Sequence, residues 1–272
     1  MRNPESPLSL FDLRSLLFLP ASNERAIGHA RESGADMVIL DLEDAVKPAD
    51  KVAARAAAVA ALSEKWPMPV AVRINSRATE WHGEDMVAVM SSHTDVIVVP
   101  RAEGKEDLAF VRNQTGKPVA AMIETARGLI HIHESAREVS ALIAGTNDLS
   151  ADLRLPPGVG RAPLQMALQS IVLAARAAGI AVFDGVFNGL EDEVGFAAEA
   201  KESRRLGFDG KSLIHPRQIA PCHAAFAPSA EEIARAERLV AAASGGAERF
   251  EDAMIERMHV EAAKRVLDRA SS

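Results

Sequence analysis

The hydrophobic residues of this chain gather in short continuous runs separated by longer amphipathic stretches. Eight runs follow one another: SLLFLP (15–20), DMVILD (36–41), PVAVRI (69–74), DVIVVP (95–100), PVAAMIE (118–124), VSALIAG (139–145), GIAVFD (179–184) and GKSLIH (210–215). They lack the polar alternation of a half-exposed strand, which is the pattern of strands buried on both faces of a parallel sheet. The segments between them, such as ADKVAARAAAVAALSEK and APLQMALQSIVLAARAA, are rich in alanine with helical spacing. Eight strands alternating with helices predict an α/β fold, a (β/α)8 TIM barrel. An open doubly wound sheet is the alternative, but LFLPASNER after the first run offers no G-x-G-x-x-G turn. Beyond residue 228 two further helices are predicted, SAEEIARAERLVAAAS and RFEDAMIERMHVEAAKRVLDRA, with Gly245 and Gly246 between them as a candidate hinge. The expected organisation is a barrel domain over 1–228 and a C-terminal helical extension over 229–272, packing on the barrel or on a neighbouring subunit.

Composition narrows the picture. A chain of 272 residues suffices for a large buried core. Its net charge of −7 lacks the basic footprint of a nucleic-acid binder. A single cysteine, Cys222, excludes an internal disulfide and fits a reducing compartment. No apolar run approaches membrane-spanning length, and the opening MRNPESPLSLFDLR lacks the apolar centre of a signal peptide. The chain is therefore expected to be cytoplasmic and to engage no membrane. It has no tyrosine, so no phenolic acid or base is available.

Chemistry in such a barrel lies at the C-terminal ends of the strands. Those ends carry Asp41, Glu43 and Asp44, then Arg73 and Asn75, Arg101, Glu124, Asp148, Asp184 and His215, all expected at one mouth. Glu124 and Asp148 follow adjacent buried strands. Two carboxylates in a partly dry site repel one another unless one is protonated or a cation intervenes. Oxygen ligands without histidine or cysteine favour Mg2+; the other reading makes them first-turn or capping acids of helices. Arg73 ends an otherwise apolar strand, and its planar fork suits a carboxylate or thioester oxygen, or an internal ion pair with Asp41 or Glu43. Glu43 either orients Arg73 or a metal-bound water, or is structural, and Asp44 is read as a helix cap. His215, before a proline, is expected to orient its loop, Asp184 to orient or cap. Cys222 is read as inert, and His29, His131 and His133 as residues of outer helices.

The ordered set RSLLFLPASNERA, VILDLEDAVKPADK, VRINS, IETARG, GTNDLSADL, AVFDGVF, GFDGKSLIHPRQI and FAPS resembles the citrate lyase β-subunit-like group of the aldolase/citrate lyase superfamily, from about residue 14 to 228. The resemblance implies a Mg2+-dependent barrel acting on carbon–carbon bonds beside an acyl thioester, with Glu124 and Asp148 as metal ligands and Arg73 binding substrate. The implied reaction cleaves a short 3-hydroxyacyl-CoA, of the malyl-CoA or citramalyl-CoA type, to acetyl-CoA and a 2-oxo acid. A citrate lyase β subunit acting on a citryl carrier protein is one alternative, and a non-catalytic CoA-thioester-binding component another. The group implies a homo-oligomer, a trimer or hexamer. Relatives acting on CoA esters carry an Asp in a C-terminal MID-like motif, supplied to a neighbouring subunit's site as the base. Here that stretch reads AMIER, which puts Glu256 at the position. Family members often show Pro-Gly after the first strand, in the loop near the CoA phosphates; this chain has Pro20-Ala21, with Arg25 as the candidate phosphate contact.

Overall fold

A computed structural model describes residues 8–244 and 246–271. Gly245, half of the expected hinge, lies outside the described residues. The strands are β1 (Ser15–Pro20), β2 (Met37–Asp41), β3 (Val70–Arg73), β4 (Val96–Val99), β5 (Val119–Ile123), β6 (Ala141–Ala144), β7 (Ala181–Asp184) and β8 (Gly210–Leu213). Each coincides with one predicted run. They pair in parallel in sequence order, and β8 pairs back on β1, closing the barrel. The chain forms a (β/α)8 TIM barrel with further helices at its C-terminal end. It divides into two compact units between Ala225 and Phe226.

Side chains alternate across a strand, so closure sends every second residue into the barrel. Leu16, Met37, Ile39, Ala71, Val96, Val98, Ala120, Met122, Ala141, Ile143, Ala181 and Phe183 form the interior cluster, with Phe18 packed against it. Continuing that parity upward carries Asp41, Arg73 and Glu124 inward at the C-terminal rim. On β8 the inward positions are Gly210 and Ser212, because Ser212 pairs with inward Leu16 and Gly210 with Phe183. A Cβ at Gly210 would strike the backbone carbonyl of Arg14, so only glycine fits there.

The same parity corrects one expectation. Asp184 follows Phe183 and faces outward, away from the mouth. It is paired in register with Lys211, likewise outward and fully buried. Lys211 Nζ donates to Asp184 Oδ2 (2.8 Å), to Glu199 Oε1 on the helix Glu193–Leu206 (2.7 Å) and to the Gly185 carbonyl (2.6 Å). Arg161 Nη2 adds a bond to Asp184 Oδ1 at 2.8 Å. Burial pushes the Asp184 carboxyl up, but Lys211 and Arg161 outweigh it and hold it at about 2. Asp184 is thus an internal counter-ion that ties the barrel to its outer helix. His215 accepts a bond from the Arg217 N–H through Nδ1 and orients its loop, as expected. Cys222 is buried, with its thiol pushed up to about 12 by burial. His29, His131 and His133 are exposed on the barrel's outside.

The second unit departs from the predicted pair of helices. Ser229 and Glu232 form a reciprocal cap that starts the helix Ala230–Ala242. Residues Glu248–Phe250 and Ala253–Ile255 form the antiparallel strands β9 and β10, although the sequence from Arg249 on reads as helical. Glu251 turns the chain at φ +55° while Arg235 and Arg238 hold its carboxylate at 3.1 and 3.2 Å. The final helix begins only at Arg257. Phe250 and Ile255 pack with Leu239 and Ala263 into this unit's own small core. Among the described residues no helix is long and apolar enough to cross a membrane.

Candidate functional site

A cavity of about 380 Å3 opens among the C-terminal ends of β1, β2, β3, β5, β6, β7 and β8. Phe18, Met122, Val186 and Ile214 make its apolar walls, and Asp41, Asp44, Arg73, Asp148, Asn147, Asn188 and Ser212 its polar lining. The arrangement follows from sequence: apolar strands end in short polar loops, and barrel closure brings those ends together.

Arg73 is the anchor. Its Nε and Nη2 donate to the two carboxylate oxygens of Asp41 at 2.7 and 2.6 Å, a planar two-point pair. Nη1 approaches Met122 Sδ at 3.7 Å, and the guanidinium carbon lies 5.3 Å from the Phe18 ring centre. Burial disfavours the charge, yet Asp41 overcomes this and raises the Arg73 pKa above its ordinary value. Asp41 also accepts from the N–H groups of Glu43 and Ala45, at 2.9 and 3.0 Å, which shapes the loop after β2. Glu43 Oε2 lies 3.0 Å from Arg73 Nη1 but off the line of its N–H, and has no hydrogen-bond partner. Burial, moderated by Arg73, raises the Glu43 carboxyl to about 8. Lys51 steadies the same loop by donating to the Leu42 and Glu43 carbonyls and to Asn75 Oδ1. Asn75 is consumed in this buried network, donating in turn to Leu42 and Asp85. Asp44 is exposed in a turn of the cavity rim and caps no helix, since the next helical residues begin at Pro48.

Glu124 is 2 % exposed. It caps no helix; Thr125 performs that task for Ala126–Ile130. Its Oε1 accepts the Arg101 N–H at 2.6 Å, whereas its Oε2 is buried and has no partner. Arg101 serves through its backbone, held at φ +46°, while its side chain points to solvent near Glu103. Burial raises the Glu124 carboxyl to about 7, against the pull of the Arg101 N–H and of Arg73. Asp148 sits in the first turn of the helix Thr146–Asp152, lines the cavity and is half-buried. Burial and then Asp44 raise its carboxyl above the usual range. Asp148 is thus a first-turn acid, as one sequence reading had it, and its place in the cavity lining leaves it free to serve as a ligand as well.

Gly145, between the two acids, makes room for Glu124: a Cβ there would overlap Glu124 Cβ and Oε2. Two hard carboxylates, one with an unpartnered oxygen beside a glycine gap, fit a hard divalent cation such as Mg2+. Among the described residues no cluster of three or more His, Cys, Asp or Glu forms a complete cage. Mg2+ is commonly held in this way, by one or two carboxylates with water and substrate oxygens completing its shell. Gly145→Ala is expected to push Glu124 and the end of its strand aside, because the clash reaches Glu124 Cβ and no rotamer relieves it; a lower melting temperature in a thermal melt and weaker Mg2+ binding by titration calorimetry are the expected results.

Arg25 lies exposed in the first turn of Glu24–Ala30 and does not line the cavity. Glu256 lies in the second unit, directly before the last helix, where its N–H donates to His259 Nδ1 at 3.0 Å. Sequence reasoning passed over Ser212 and the reciprocal amide pair Asn147–Asn188, whose bonds of 3.2 and 2.7 Å join the helix Thr146–Asp152 to the loop after β7. The alternation along GKSLI was the available signal for Ser212; the amide pair joins segments 41 positions apart and left none.

Known proteins match this chain along most of its length. A (3S)-malyl-CoA thioesterase of Cereibacter sphaeroides is 36% identical over 270 residues, covering 95% of each chain. The citrate lyase β subunit of Escherichia coli is 34% identical over 251 residues, covering 86% of this chain and 83% of its own. The crystal structure of Mycobacterium tuberculosis CitE with magnesium, acetoacetate and coenzyme A superposes with a TM-score of 0.87 at 32% identity, over 97% of this chain and all of that one. The sequence pattern of the HpcH/HpaI aldolase/citrate lyase family matches residues 14–216. With the barrel and its rim of acids and arginine, these likenesses establish that the chain belongs to the HpcH/HpaI aldolase/citrate lyase family.

Proposed function

We propose that the protein is a Mg2+-dependent carbon–carbon lyase that cleaves a malyl-CoA- or citramalyl-CoA-type thioester to acetyl-CoA and a 2-oxo acid. The observation that carries this reading is Glu124, its unpartnered Oε2 set against Gly145 of the cavity lining, together with an Arg73 in that lining locked by Asp41. Glu124 and Asp148 would hold Mg2+, which when bound supplies Lewis acidity to the substrate's hydroxyl and carboxylate oxygens. Arg73 keeps N–H groups not committed to Asp41 and offers them to the thioester oxygen as enolate charge develops there. Asp41 positions Arg73, and the apolar walls of Phe18, Met122 and Ile214 limit water around the enolate. The same reading includes an acyl-CoA partner, phosphate contact by Arg25, a cytoplasmic site of action and a trimeric or hexameric assembly.

The base that takes the substrate hydroxyl proton is, in this reading, Glu256 supplied from the tail of a neighbouring subunit. Glu256→Gln is expected to lower kcat about a hundredfold, the lower end of general-base contributions, with helix content by circular dichroism unchanged. An unaltered kcat would return Glu256 to a purely local role before its helix.

The similarity to a malyl-CoA thioesterase supports a second reading, in which water adds to the thioester carbonyl and CoA leaves from the same site. One assay separates them. Malyl-CoA, citramalyl-CoA and citryl-CoA are offered with and without Mg2+ while free thiol and 2-oxo acid are followed. Lyase action releases 2-oxo acid without free thiol; hydrolysis releases thiol without 2-oxo acid. No turnover on any of the three shifts the reading to a citryl-carrier-protein subunit or a non-catalytic CoA-thioester binder.

A further inference from the structure

Among the residues lining the cavity, one buried polar side chain has no partner. Ser212, on β8, is 1 % exposed, and its hydroxyl makes no hydrogen bond. Strand parity turns it into the barrel beside Leu16 of β1. A hydroxyl in this position is costly unless something pairs with it, because burial strips its water without supplying a replacement. A serine kept at such a point is explained by a ligand atom that meets it.

Position identifies which atom. The carboxylates assigned to Mg2+ stand on the loops after β5 and β6, with β7 between them and β8. The part of an acyl thioester that reaches β8 is therefore the end away from the metal-held hydroxyl and carboxylate, its thioester carbonyl. Arg73 stretches to the same side, its guanidinium over Phe18 of β1, the strand that pairs with β8. Sites that stabilise a developing oxyanion gain from more than one fixed donor, and a neutral hydroxyl beside a guanidinium forms such a pair. We infer that Ser212 is a substrate-binding residue whose hydroxyl donates to the thioester carbonyl oxygen, as second donor beside Arg73. The inference rests on the proposed acyl-thioester reading and serves cleavage and hydrolysis alike, since both put negative charge on that oxygen.

The experiment compares acetyl-CoA with CoA, which differ by the acetyl thioester. Binding of each to the full chain is measured by calorimetry with Mg2+ present, for wild type and Ser212→Ala, alongside a thermal melt without ligand. The expected result is a three- to tenfold loss of acetyl-CoA affinity, the worth of one hydrogen bond, with CoA affinity unchanged. The ligand-free melting temperature is expected to hold or rise, since the variant removes an unpaired buried hydroxyl. An unchanged acetyl-CoA preference would overturn the contact alone. So would equal losses for both ligands, or a fall in melting temperature without a change in preference, each of which indicates a packing role. A wild-type protein that binds neither ligand would overturn the acyl-thioester reading and the contact with it.

Discussion

Glu124→Gln is expected to abolish measurable Mg2+ binding and to lower turnover by on the order of 10³-fold, yet to stabilise the metal-free protein at neutral and alkaline pH. Both effects have one origin. Glu124 is buried with one oxygen unpartnered, so the folded protein resists its ionisation and raises it from 4.5 to about 7. For an acid raised on folding, stability is fully present below the unfolded value and is lost as pH rises through the folded one. The window here runs from pH 4.5 to about 7, and the shift corresponds to about 3 kcal/mol. Glu43, raised to about 8, extends the same trend upward. Glutamine cannot ionise and escapes the Glu124 part of this loss. On the proposed reading a divalent cation held by the wild-type carboxylate would offset it, so the gain in melting temperature on adding Mg2+ should be small at pH 6 and grow towards pH 8. Thermal melts of both proteins across that range, with and without Mg2+, measure the sign directly. A Mg2+-dependent gain that survives in Glu124→Gln would remove Glu124 from the metal site.

Arg73→Ala is expected to destabilise the barrel by about 3–5 kcal/mol and to eliminate turnover. Asp41 is 1 % exposed, and deletion of its two-point partner leaves it with the Glu43 and Ala45 N–H groups alone. Breaking a buried pair from one side typically costs this much because the remaining charge is stranded. Such a variant confounds folding with function, so Arg73→Lys is the informative companion. Lysine keeps the charge near Asp41 but not the planar fork, and cannot hold Asp41 at two points while offering a further N–H to substrate. Its expected signature is stability within about 2 kcal/mol of wild type and kcat lowered by on the order of 10²–10³. Urea unfolding and steady-state kinetics separate the two quantities. A well-folded Arg73→Lys with undiminished kcat would confine Arg73 to holding Asp41.

Family membership, the barrel and the order of its strands were legible because their signals are local. Each strand is a run of apolar residues bounded by proline, glycine or charge, and DMVILD or PVAAMIE reads the same whatever lies around it. Glu124, Asp148 and Arg73 were legible for the same reason, as charged groups terminating or following such runs. The tail was less so. RFEDAMIER has helical composition, but two arginines on a preceding helix hold Glu251 in a left-handed turn, and a hairpin forms where a helix was expected. Those partners stand 16 and 13 positions apart, outside the i, i+3 and i+4 spacing by which a helix is read.

The sharpest contrast is between Glu124 and Asp184. Each closes an apolar run, and by sequence alone each belonged at the mouth. The sequence by itself determined that there are eight strands, in what order they come and which charged residues stand at their ends. Only the closed barrel decided which way those residues face. Glu124 continues the inward parity of Ala120 and Met122, while Asp184 follows inward Phe183 and turns out to Lys211. Ser212 came to light by the same rule, on the inward side of a strand whose sequence draws the eye to its lysine. The physical reason is that residues of a strand alternate with a period of two, so a step of one reverses every side chain. Propensity marks where a strand stops; pairing register around the closed sheet settles the side to which its last side chain points.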